Sequence, residues 1–270
     1  MMTEPVRLHI SDGVARVTLN RPDDGNAINL DLARALRRVV ARIADIAPRV
    51  VVLTGDGGAF CSGGDVVEMA AAVDLGDFVY ELATTFHGAL ANLADIDAVI
   101  IAAVDGVAAG GGLGLALCAD VVLASDRALF LTAYEAIGLS PDSGASYLLP
   151  RVIGASRARA MSAVGLRLDA AAAHDIGLVH AVTPSADLDD AVWTMATRLA
   201  ARPQTHMAAS RALFRGADPQ EFRRHLDAEA RAISAAAASP DAARLIHEHA
   251  VRAERSAAAL RRRAERARAA

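Results

Sequence analysis

The chain has 270 residues, of which 53% are hydrophobic and 22% charged. This composition provides enough apolar side chains for a large core and excludes a wholly disordered chain. The net charge of −4 excludes the basic surface expected of a nucleic-acid-binding protein. No lysine is present, so all 28 basic residues are arginine, which excludes catalysis by a lysine base or a lysine Schiff base.

Cysteine content and hydropathy further restrict the class of protein to which the chain can belong. Cys61 and Cys118 are far apart in the sequence, so a disulfide framework is not expected. The N-terminal residues lack the apolar segment of a signal peptide. The longest apolar run, residues 98–119, is interrupted by Asp105 and by glycines, so we expect no membrane span. These features together predict a cytoplasmic protein.

The first half of the chain alternates between strand and helix patterns. Residues 6–19 alternate around Ser11-Asp12-Gly13 and predict a β-hairpin. An amphipathic helix follows, capped by Asn29 or Asp31. Residues 50–53 form a short β-branched run, which is typical of a strand buried on both faces.

Two glycine-rich loops each follow a predicted buried strand and precede a predicted helix. Residues 59–65 form the first loop, between the strand at 50–53 and a helix at 66–72. Residues 105–112 form the second, after a strand at 99–104. A further helix around 78–93 and a strand at 121–124 complete a pattern that predicts an α/β fold, with helices covering a sheet.

Such loops allow a ligand to approach the backbone closely, and the helix that follows directs free N–H groups at it. The amides of Ser62 and Gly111 are the candidate pair of donors for an oxygen that becomes negative during a reaction. Losing one donor of such an oxyanion hole costs about 2.7–4 kcal/mol of transition-state stabilisation. Spacing alone leaves open the alternative of two tight turns that need glycine only for steric reasons. No dinucleotide or P-loop motif is present.

The second half of the chain is mainly helical in pattern. Ser140-Pro141-Asp142 predicts a helix start, with proline at the first helical position. Further helices are predicted from Ser156, with starts near Asp169 and Pro184 and a stop at Gly177. Residues 241–270 are rich in alanine and arginine and predict an exposed or subunit-bridging helix.

Motifs along nearly the whole chain resemble those of the enoyl-CoA hydratase/isomerase, or crotonase, family. They are, in order, Asn20-Arg21-Pro22, Asn26-Ala27, Leu53-Thr54-Gly55, Phe60-Cys61-Ser62-Gly63-Gly64-Asp65, residues 102–112 and Leu148-Leu149-Pro150-Arg151 with Gly154. The resemblance implies a spiral of repeated ββα units over residues 1–200 and a C-terminal helical trimerisation region over 201–270. It also implies a homotrimer or a dimer of trimers.

The resemblance implies an acyl-CoA thioester as substrate, with no metal and no redox cofactor. The thioester carbonyl is expected between the amides of Ser62 and Gly111. Binding of coenzyme A and the acyl group is expected at Asn26, Ala27, Ile28, Ser62, Gly63, Gly64, Asp65, Val66, Gly111 and Tyr134. The histidines have no acid or cysteine at metal-ligand spacing, which agrees with the absence of a metal site.

The resemblance is weakest at the two acids that hydratases of this family use. The first lies two residues after the third glycine of the triplet, where this chain has Gly114. The second lies four residues after the Phe130 position, where this chain has Tyr134. Glu135 is one position late and is expected to face elsewhere. Hydration of a 2-enoyl-CoA therefore becomes doubtful.

One acid does occupy a position that the family uses. Asp142 matches the base of Δ3,Δ2-enoyl-CoA and ring-epoxyphenylacetyl-CoA isomerases, and one carboxylate suffices for a 1,3-proton shift. The alternative is that Asp142 only complements the dipole of a helix that begins at Pro141. We favour the isomerase, with Asp142, Ser62 and Gly111 as its catalytic residues.

Other interpretations remain open at this point. In 4-chlorobenzoyl-CoA dehalogenases of this family the same carboxylate is a nucleophile, and a histidine stands where His87 stands. Because that histidine is common elsewhere in the family, we interpret His87 as a helix-face residue. A hydratase, a dehalogenase or thioesterase branch, and a non-catalytic acyl-CoA-binding protein are the alternatives. The run Arg261-Arg262-Arg263 is a candidate contact for coenzyme A phosphates.

Overall fold

A computed structural model describes residues 4–215, 218 and 220–269, without the side chains of residues 215 and 256–269. Its strands are β1 Val6–Ser11, β2 Val14–Leu19, β3 Val50–Gly55, β4 Val99–Val104, β5 Val107–Ala109, β6 Val121–Ser125, β7 Leu129–Leu131, β8 Leu168–Asp169 and β9 Ala181–Thr183. A six-stranded sheet has the order β1-β2-β3-β4-β6-β9, and a small sheet has the order β5-β7-β8. In the large sheet only the hairpin pair β1–β2 is antiparallel.

The helices cover both faces of the large sheet. They are α1 Leu30–Ile46, α2 Val66–Ala70, α3 Leu75–Asp95, α4 Gly111–Leu117, α5 Ala145–Ile153, α6 Ala155–Val164, α7 Ala170–Asp175, α8 Leu188–Ala200, α9 Gln204–Arg215, α10 Gln220–Ala237 and α11 Pro240–Ala269. α8 ends at Ala200, and the division of the chain into two regions at that residue stays a prediction. No helix among the described residues has an apolar stretch long enough to cross a membrane.

The buried strand predicted at residues 50–53 is confirmed as the first four residues of β3. Val51 and Leu53 belong to the main core, on the side of α1 and α3. Val50 and Val52 point the opposite way and pack in a second cluster with residues of α8. Successive side chains of a strand point to opposite faces, so covering both faces with helices requires a continuous apolar run.

The predicted hairpin and the first amphipathic helix are also confirmed. The two possible caps of α1 are distinguished by a hydrogen bond, since the amide of Leu32 donates to the side-chain oxygen of Asn29 at 2.9 Å. Asn29 therefore caps α1, and Asp31 lies in its first turn. The small sheet formed by β5, β7 and β8 was not predicted, because its strands have only two or three residues each.

The predicted helix start at Ser140-Pro141-Asp142 is wrong. α5 begins at Ala145, and Gly144 occupies its N-cap position. Ser143 has φ +57°, a left-handed conformation that ends any helical path from Pro141. Asp142 thus lies in a loop before the helix and does not sit in its first turn.

The C-terminal helices pack on the same chain in the part that the structure describes. α10 packs against α3, and α11 packs against α2. Ala242, Ile246 and Ala250 recur every fourth residue of α11 and are buried. The expectation of an exposed or bridging helix is therefore corrected for this first part of α11. The side chains of Arg261, Arg262 and Arg263 lie outside the described residues.

Candidate active site

A cavity of about 1240 Å³ opens where the two glycine loops meet the loop before α5. Its walls include Ser62, Gly63, Gly64, Asp65, Gly110, Gly111, Tyr134, Asp142 and Ser143, with apolar side chains of α3 opposite. The volume exceeds the range of about 300–1,000 Å³ that is usual for pockets holding drug-sized ligands. The cavity therefore has room for a ligand larger than a typical drug-sized molecule. No group of three or more His, Cys, Asp or Glu side chains in the described residues is arranged to hold a metal ion.

The first glycine loop is hydrogen-bonded to β5, the short strand within the second glycine loop. The amide of Cys61 donates to the Val107 carbonyl at 2.9 Å, and the amide of Ala109 donates to the Cys61 carbonyl at 3.0 Å. Gly63 has φ +95°, and a Cβ atom added to it would lie 3.0 Å from the Ala109 carbonyl oxygen. Glycine is thus required at residue 63 by both its conformation and the close approach of the two loops.

The structure corrects the predicted donor in the first loop. The Ser62 amide is not available to a ligand, because it donates to the Gly25 carbonyl at 3.0 Å. The next amide, that of Gly63, interacts with the buried Cys61 thiol and partly offsets the rise in its pKa that burial causes. The N–H of Gly64 has no acceptor in the part of the chain that the structure describes, and Gly64 lines the cavity. The free amide of this loop therefore belongs to Gly64.

The second predicted donor, Gly111, lies at the start of a helix. Gly111 is the first residue of α4 and lines the cavity. Within the described residues its N–H meets no acceptor, as expected at the start of a helix. Gly63 and Gly110 lie in contact, since a Cβ atom added to Gly110 would be 3.8 Å from the Gly63 Cα. Gly64 and Gly111, whose amides are free, therefore lie next to the contact between the two loops in the cavity wall.

Some of the residues predicted to bind coenzyme A line the cavity, and others support the loops behind it. Ala27, Ile28 and Val66 line the cavity. Asn26 is fully buried, and its amide donates to the carbonyls of Asp56 at 2.9 Å and Ala59 at 2.7 Å. The Asn26 side chain therefore joins two loops behind the wall and has no donor left for a ligand.

Asp65 both lines the cavity and supports the loops around it. Its carboxylate caps α2 by accepting from the amides of Val67 and Glu68, and it pairs with Arg21 at 2.9 Å. Arg21 also donates to the Ala27 carbonyl at 2.5 Å. One guanidinium thus holds together the two segments expected to bind coenzyme A.

Neither position of the hydratase acids can present a carboxylate to the cavity. A Cβ atom added to Gly114 would lie 2.2 Å from the Ser143 carbonyl oxygen, so the backbone next to Asp142 occupies that space. Tyr134 is buried, and its hydroxyl donates to the Asp142 carbonyl at 3.0 Å. Burial, followed by the charge of Asp142, raises the pKa of Tyr134 well above its ordinary value.

Glu135 faces away from the cavity, as predicted. Its carboxylate is exposed and accepts a 3.4 Å hydrogen bond from Thr132. It also lies against Gly165, on the side of α6. No acid next to Tyr134 therefore replaces the missing glutamate.

Asp142 and His87 form a buried pair that the sequence interpretation discounted. His87 lies on α3 and is 4% exposed, and its Nε2 atom is 3.2 Å from Oδ2 of Asp142. Nδ1 is 3.0 Å from the Leu226 carbonyl and must carry a proton, because a carbonyl only accepts. Nε2 also receives the Ser143 amide at 2.9 Å. The neutral ring accepts from Ser143, whereas the protonated ring donates to Asp142.

The electrostatics of this pair favour the protonated ring. Burial lowers the pKa of His87, but the hydrogen bond and charge of Asp142, together with the charge of Glu229, outweigh it and raise the pKa overall. Asp142 lines the cavity whereas His87 does not, so the imidazole lies behind the carboxylate. A histidine between apolar residues of an amphipathic helix needs buried partners, and this signal could have identified it.

Comparison with known proteins agrees with this geometry. The family model described as Enoyl-CoA hydratase/isomerase matches residues 9–253. A probable enoyl-CoA hydratase of Rhodobacter capsulatus is 35% identical, covering 86% of this chain and 89% of its own length. The 1,2-epoxyphenylacetyl-CoA isomerase of Escherichia coli is 33% identical, covering 84% of this chain and 88% of its own length.

Solved structures agree as well. The crystal structure of an enoyl-CoA hydratase from Mycobacterium avium subsp. paratuberculosis superposes with a TM-score of 0.82 at 31% identity, covering 92% of this chain and 96% of that one. The mixed α/β architecture is thus the crotonase fold. The chain belongs to the enoyl-CoA hydratase/isomerase family of acyl-CoA enzymes.

Proposed function

We propose that this protein is an enoyl-CoA isomerase, which moves the double bond of a 3-enoyl-CoA into conjugation with the thioester. The observation that carries this proposal is the carboxylate of Asp142 in the cavity wall, combined with Gly114 and Tyr134 at the positions of the hydratase acids. One buried carboxylate beside two free amides matches the needs of a proton shift that consumes no water.

The reaction begins at the carbon next to the thioester. Asp142 takes a proton from C2, and the electron pair moves into the carbonyl to form an enolate whose oxygen accepts from the amides of Gly64 and Gly111. Asp142 then returns the same proton to C4, so the product is an isomer and no atom is gained or lost. A positioned base contributes about 10²–10⁴-fold to such a step. Each oxyanion donor contributes about 2.7–4 kcal/mol.

His87 supports this role without touching substrate. It holds Oδ2 of Asp142 from behind at 3.2 Å, which leaves the other carboxylate oxygen for the substrate proton. The Tyr134 hydroxyl fixes the main chain of the same residue through its carbonyl. A base held in this way needs little reorganisation when the proton moves.

Hydration fits this cavity less well. A hydratase needs a second carboxylate to activate and orient water, and the Ser143 carbonyl occupies the space beside Gly114 where the first glutamate of the family stands. The acyl chain has an apolar wall in Val79, Leu82 and Phe86 of α3 and Leu139, all of which line the cavity. Such a wall accommodates a hydrocarbon chain and contributes no polar group to fix a water molecule.

The contact between His87 and Asp142 favours one second candidate. A carboxylate nucleophile followed by hydrolysis of an aryl ester, as in a dehalogenase, requires a base next to that carboxylate. Here the imidazole lies behind Asp142 and does not line the cavity, which is an unfavourable position for a base that activates water on the substrate side. We therefore rank this function below isomerisation.

A substrate panel tests the proposal. The protein is incubated separately with trans-3-hexenoyl-CoA, crotonyl-CoA and 4-chlorobenzoyl-CoA, while enoyl conjugation, hydration and chloride release are recorded. We expect conjugation of the first substrate only. Hydration of crotonyl-CoA or release of chloride at a higher rate would replace the proposal by the corresponding activity. Saturable acyl-CoA binding without turnover would indicate a binding protein.

A further inference from the structure

Glu229 is a buried acid that the mechanism above does not use. It lies on α10, is 4% exposed, and does not line the cavity. Its side chain reaches the start of α5, where Oε2 accepts from the Gly144 amide at 2.7 Å and Oε1 accepts from the Ser146 amide at 3.0 Å. The Ser146 hydroxyl also donates to Oε1. A buried carboxylate is costly unless its oxygens are hydrogen-bonded, and here both are.

These contacts replace the cap that α5 lacks in its own sequence. Gly144, at the N-cap position, has no side chain to accept from the first amides of the helix. Side-chain oxygens that accept from these amides typically stabilise a helix by about 0.5–2 kcal/mol. Glu229 supplies such an oxygen from another helix, with a negative charge that also suits the helix dipole. Burial raises the pKa of Glu229, and the bonds from Ser146 and Gly144 partly offset this rise.

The same face of α10 also contacts His87 of α3. Leu226 precedes Glu229 by three residues, so the two lie on one side of the helix. The Leu226 carbonyl accepts from Nδ1 of His87, and Nε2 of that ring is the atom next to Asp142 and to the Ser143 amide. One helix therefore fixes the imidazole behind Asp142 and the main chain directly after it.

The segment between these contacts is strained. Ser143 has φ +57°, and a non-glycine residue in such a conformation costs about 1–3 kcal/mol and persists only where its surroundings enforce it. The enforcing contacts are those of Glu229 with the Gly144 amide and of Tyr134 with the Asp142 carbonyl, since a protonated His87 cannot accept from the Ser143 amide. Of these two side chains, only Glu229 accepts the amide that follows the strained residue.

We propose that Glu229 is a positioning residue for Asp142. By capping α5 from α10, it holds Ser143 in its left-handed conformation and keeps the Asp142 carboxylate between His87 and the cavity. This inference rests on the proposed function, in which Asp142 is the base. Without the Glu229 carboxylate, residues 142–144 relax toward an ordinary conformation, and the base moves away from C2 of the substrate.

Kinetics of Glu229→Ala and Glu229→Gln test this inference, with Ser234→Ala as the matched control. Ser234 lies on the same helix. Its hydroxyl donates to the Gly76 carbonyl at 3.0 Å, and it does not line the cavity. We expect Glu229→Ala to lower kcat for 3-enoyl-CoA by about 10²-fold, the cost of a base displaced by about 1 Å. The Kd of a saturated acyl-CoA should not change, because the cavity wall remains.

The isosteric variant keeps the inference testable if Glu229→Ala does not fold. The amide of Glu229→Gln has one accepting oxygen, and its NH₂ group faces one of the two backbone donors, so a smaller loss of kcat is expected. Ser234→Ala should retain the wild-type kcat. A folded Glu229→Ala or Glu229→Gln variant with the wild-type kcat overturns the inference. A parallel loss of kcat, ligand affinity and Tm in both variants also overturns it, since that indicates only a general structural role.

Hydrogen–deuterium exchange of the substrate-free protein separates this inference from the proposed function. In Glu229→Ala or Glu229→Gln, the amides of Ser143, Gly144 and Ser146 should exchange faster than in wild type and in Ser234→Ala. If the wild-type protein isomerises none of the substrates, the proposed function fails, and exchange alone decides the role of Glu229. Unchanged exchange over residues 142–146 overturns that role whatever the activity.

Discussion

The carboxylate of Asp142 and the imidazole of His87, 55 positions apart in the sequence, lie 3.2 Å from each other in the interior of the protein. Asp142 is 8% exposed and His87 4% exposed, and only the carboxylate lines the cavity. The imidazole is fixed from its far side by the Leu226 carbonyl. In the isomerisation that we propose, this pair provides the single oriented base.

Replacing Asp142 by asparagine is expected to abolish isomerisation. The side chain keeps its size but loses the ability to accept a proton, so the fall in kcat should reach at least about 10²-fold, the lower contribution of a general base. Binding of a saturated acyl-CoA, measured by calorimetry, should persist. The control is Glu135→Gln, which neutralises an exposed acid outside the cavity wall. An Asp142→Asn variant with wild-type kcat contradicts the assignment.

His87 should make stability depend on pH above the ordinary range of histidine. Its folded-state pKa is raised from 6.5, because Asp142 and Glu229 outweigh the opposing effect of burial. Its contribution is therefore fully present below pH 6.5 and is lost as the pH rises through the raised folded-state pKa. Tm measured from pH 6 to pH 9 should fall more in the wild type than in His87→Gln. Parallel Tm curves for the two proteins would count against a protonated imidazole.

A side chain at residue 114 should not restore hydration. In Gly114→Glu the Cβ atom overlaps the Ser143 carbonyl oxygen at 2.2 Å, so the loop carrying Asp142 must move. Even Gly114→Ala is expected to destabilise the protein by about 1–3 kcal/mol through overpacking. The matched control is Gly88→Ala in α3, where the nearest atoms are those of the Arg37 side chain at 3.7 Å.

Chemical denaturation measures the stability of these two alanine variants, and the crotonyl-CoA assay measures hydration by Gly114→Glu. We expect no gain of hydration and a loss of isomerisation. A Gly114→Glu variant that hydrates crotonyl-CoA shows instead that the loop can yield to the added carboxylate.

The identity of the first oxyanion donor can be tested on the backbone itself. An amide-to-ester replacement at residue 64 removes only the N–H of Gly64 and should lower kcat by about 10²–10³-fold, the effect of losing one oxyanion-hole donor. The same replacement at residue 62 removes the 3.0 Å hydrogen bond to Gly25. It should lower Tm and leave the donor pair in place. A larger loss of kcat at residue 62 than at residue 64 reverses the assignment.

We propose that the end of α9 is a subunit contact of the homotrimer, or dimer of trimers, that the family resemblance implies. Leu213 and Phe214 are 83% and 93% exposed in the isolated chain, where such apolar side chains commonly mark an interface. Leu213→Glu combined with Phe214→Glu should shift the protein toward monomers in size-exclusion chromatography with light scattering. Val73→Glu, at another exposed apolar residue, is the control and should keep the oligomer. A wild-type protein that is already monomeric contradicts the trimer.

Features that depend on local pattern can be predicted from the amino-acid sequence alone. A continuous β-branched run predicted β3 as a strand covered on both faces, and hydrogen-bonding side chains next to apolar stripes predicted the start of α1. The two glycine loops and the absence of acids at Gly114 and Tyr134 are equally visible in the sequence. These properties follow from periodicity and residue type, which each short segment carries on its own.

Which polar groups are free and which are paired depends on the folded chain and could not be predicted from the sequence. Ser62 and Gly64 belong to the same loop, yet a hydrogen bond to Gly25 occupies one amide and leaves the other open. Asp142 precedes a helix that begins four residues later than expected, because Ser143 is left-handed and Glu229 supplies the cap from 85 positions away. Hydrogen-bond partners that are distant in the chain decide whether each polar group is paired. The loops can therefore be identified from the sequence, whereas the free amides can be identified only from the fold.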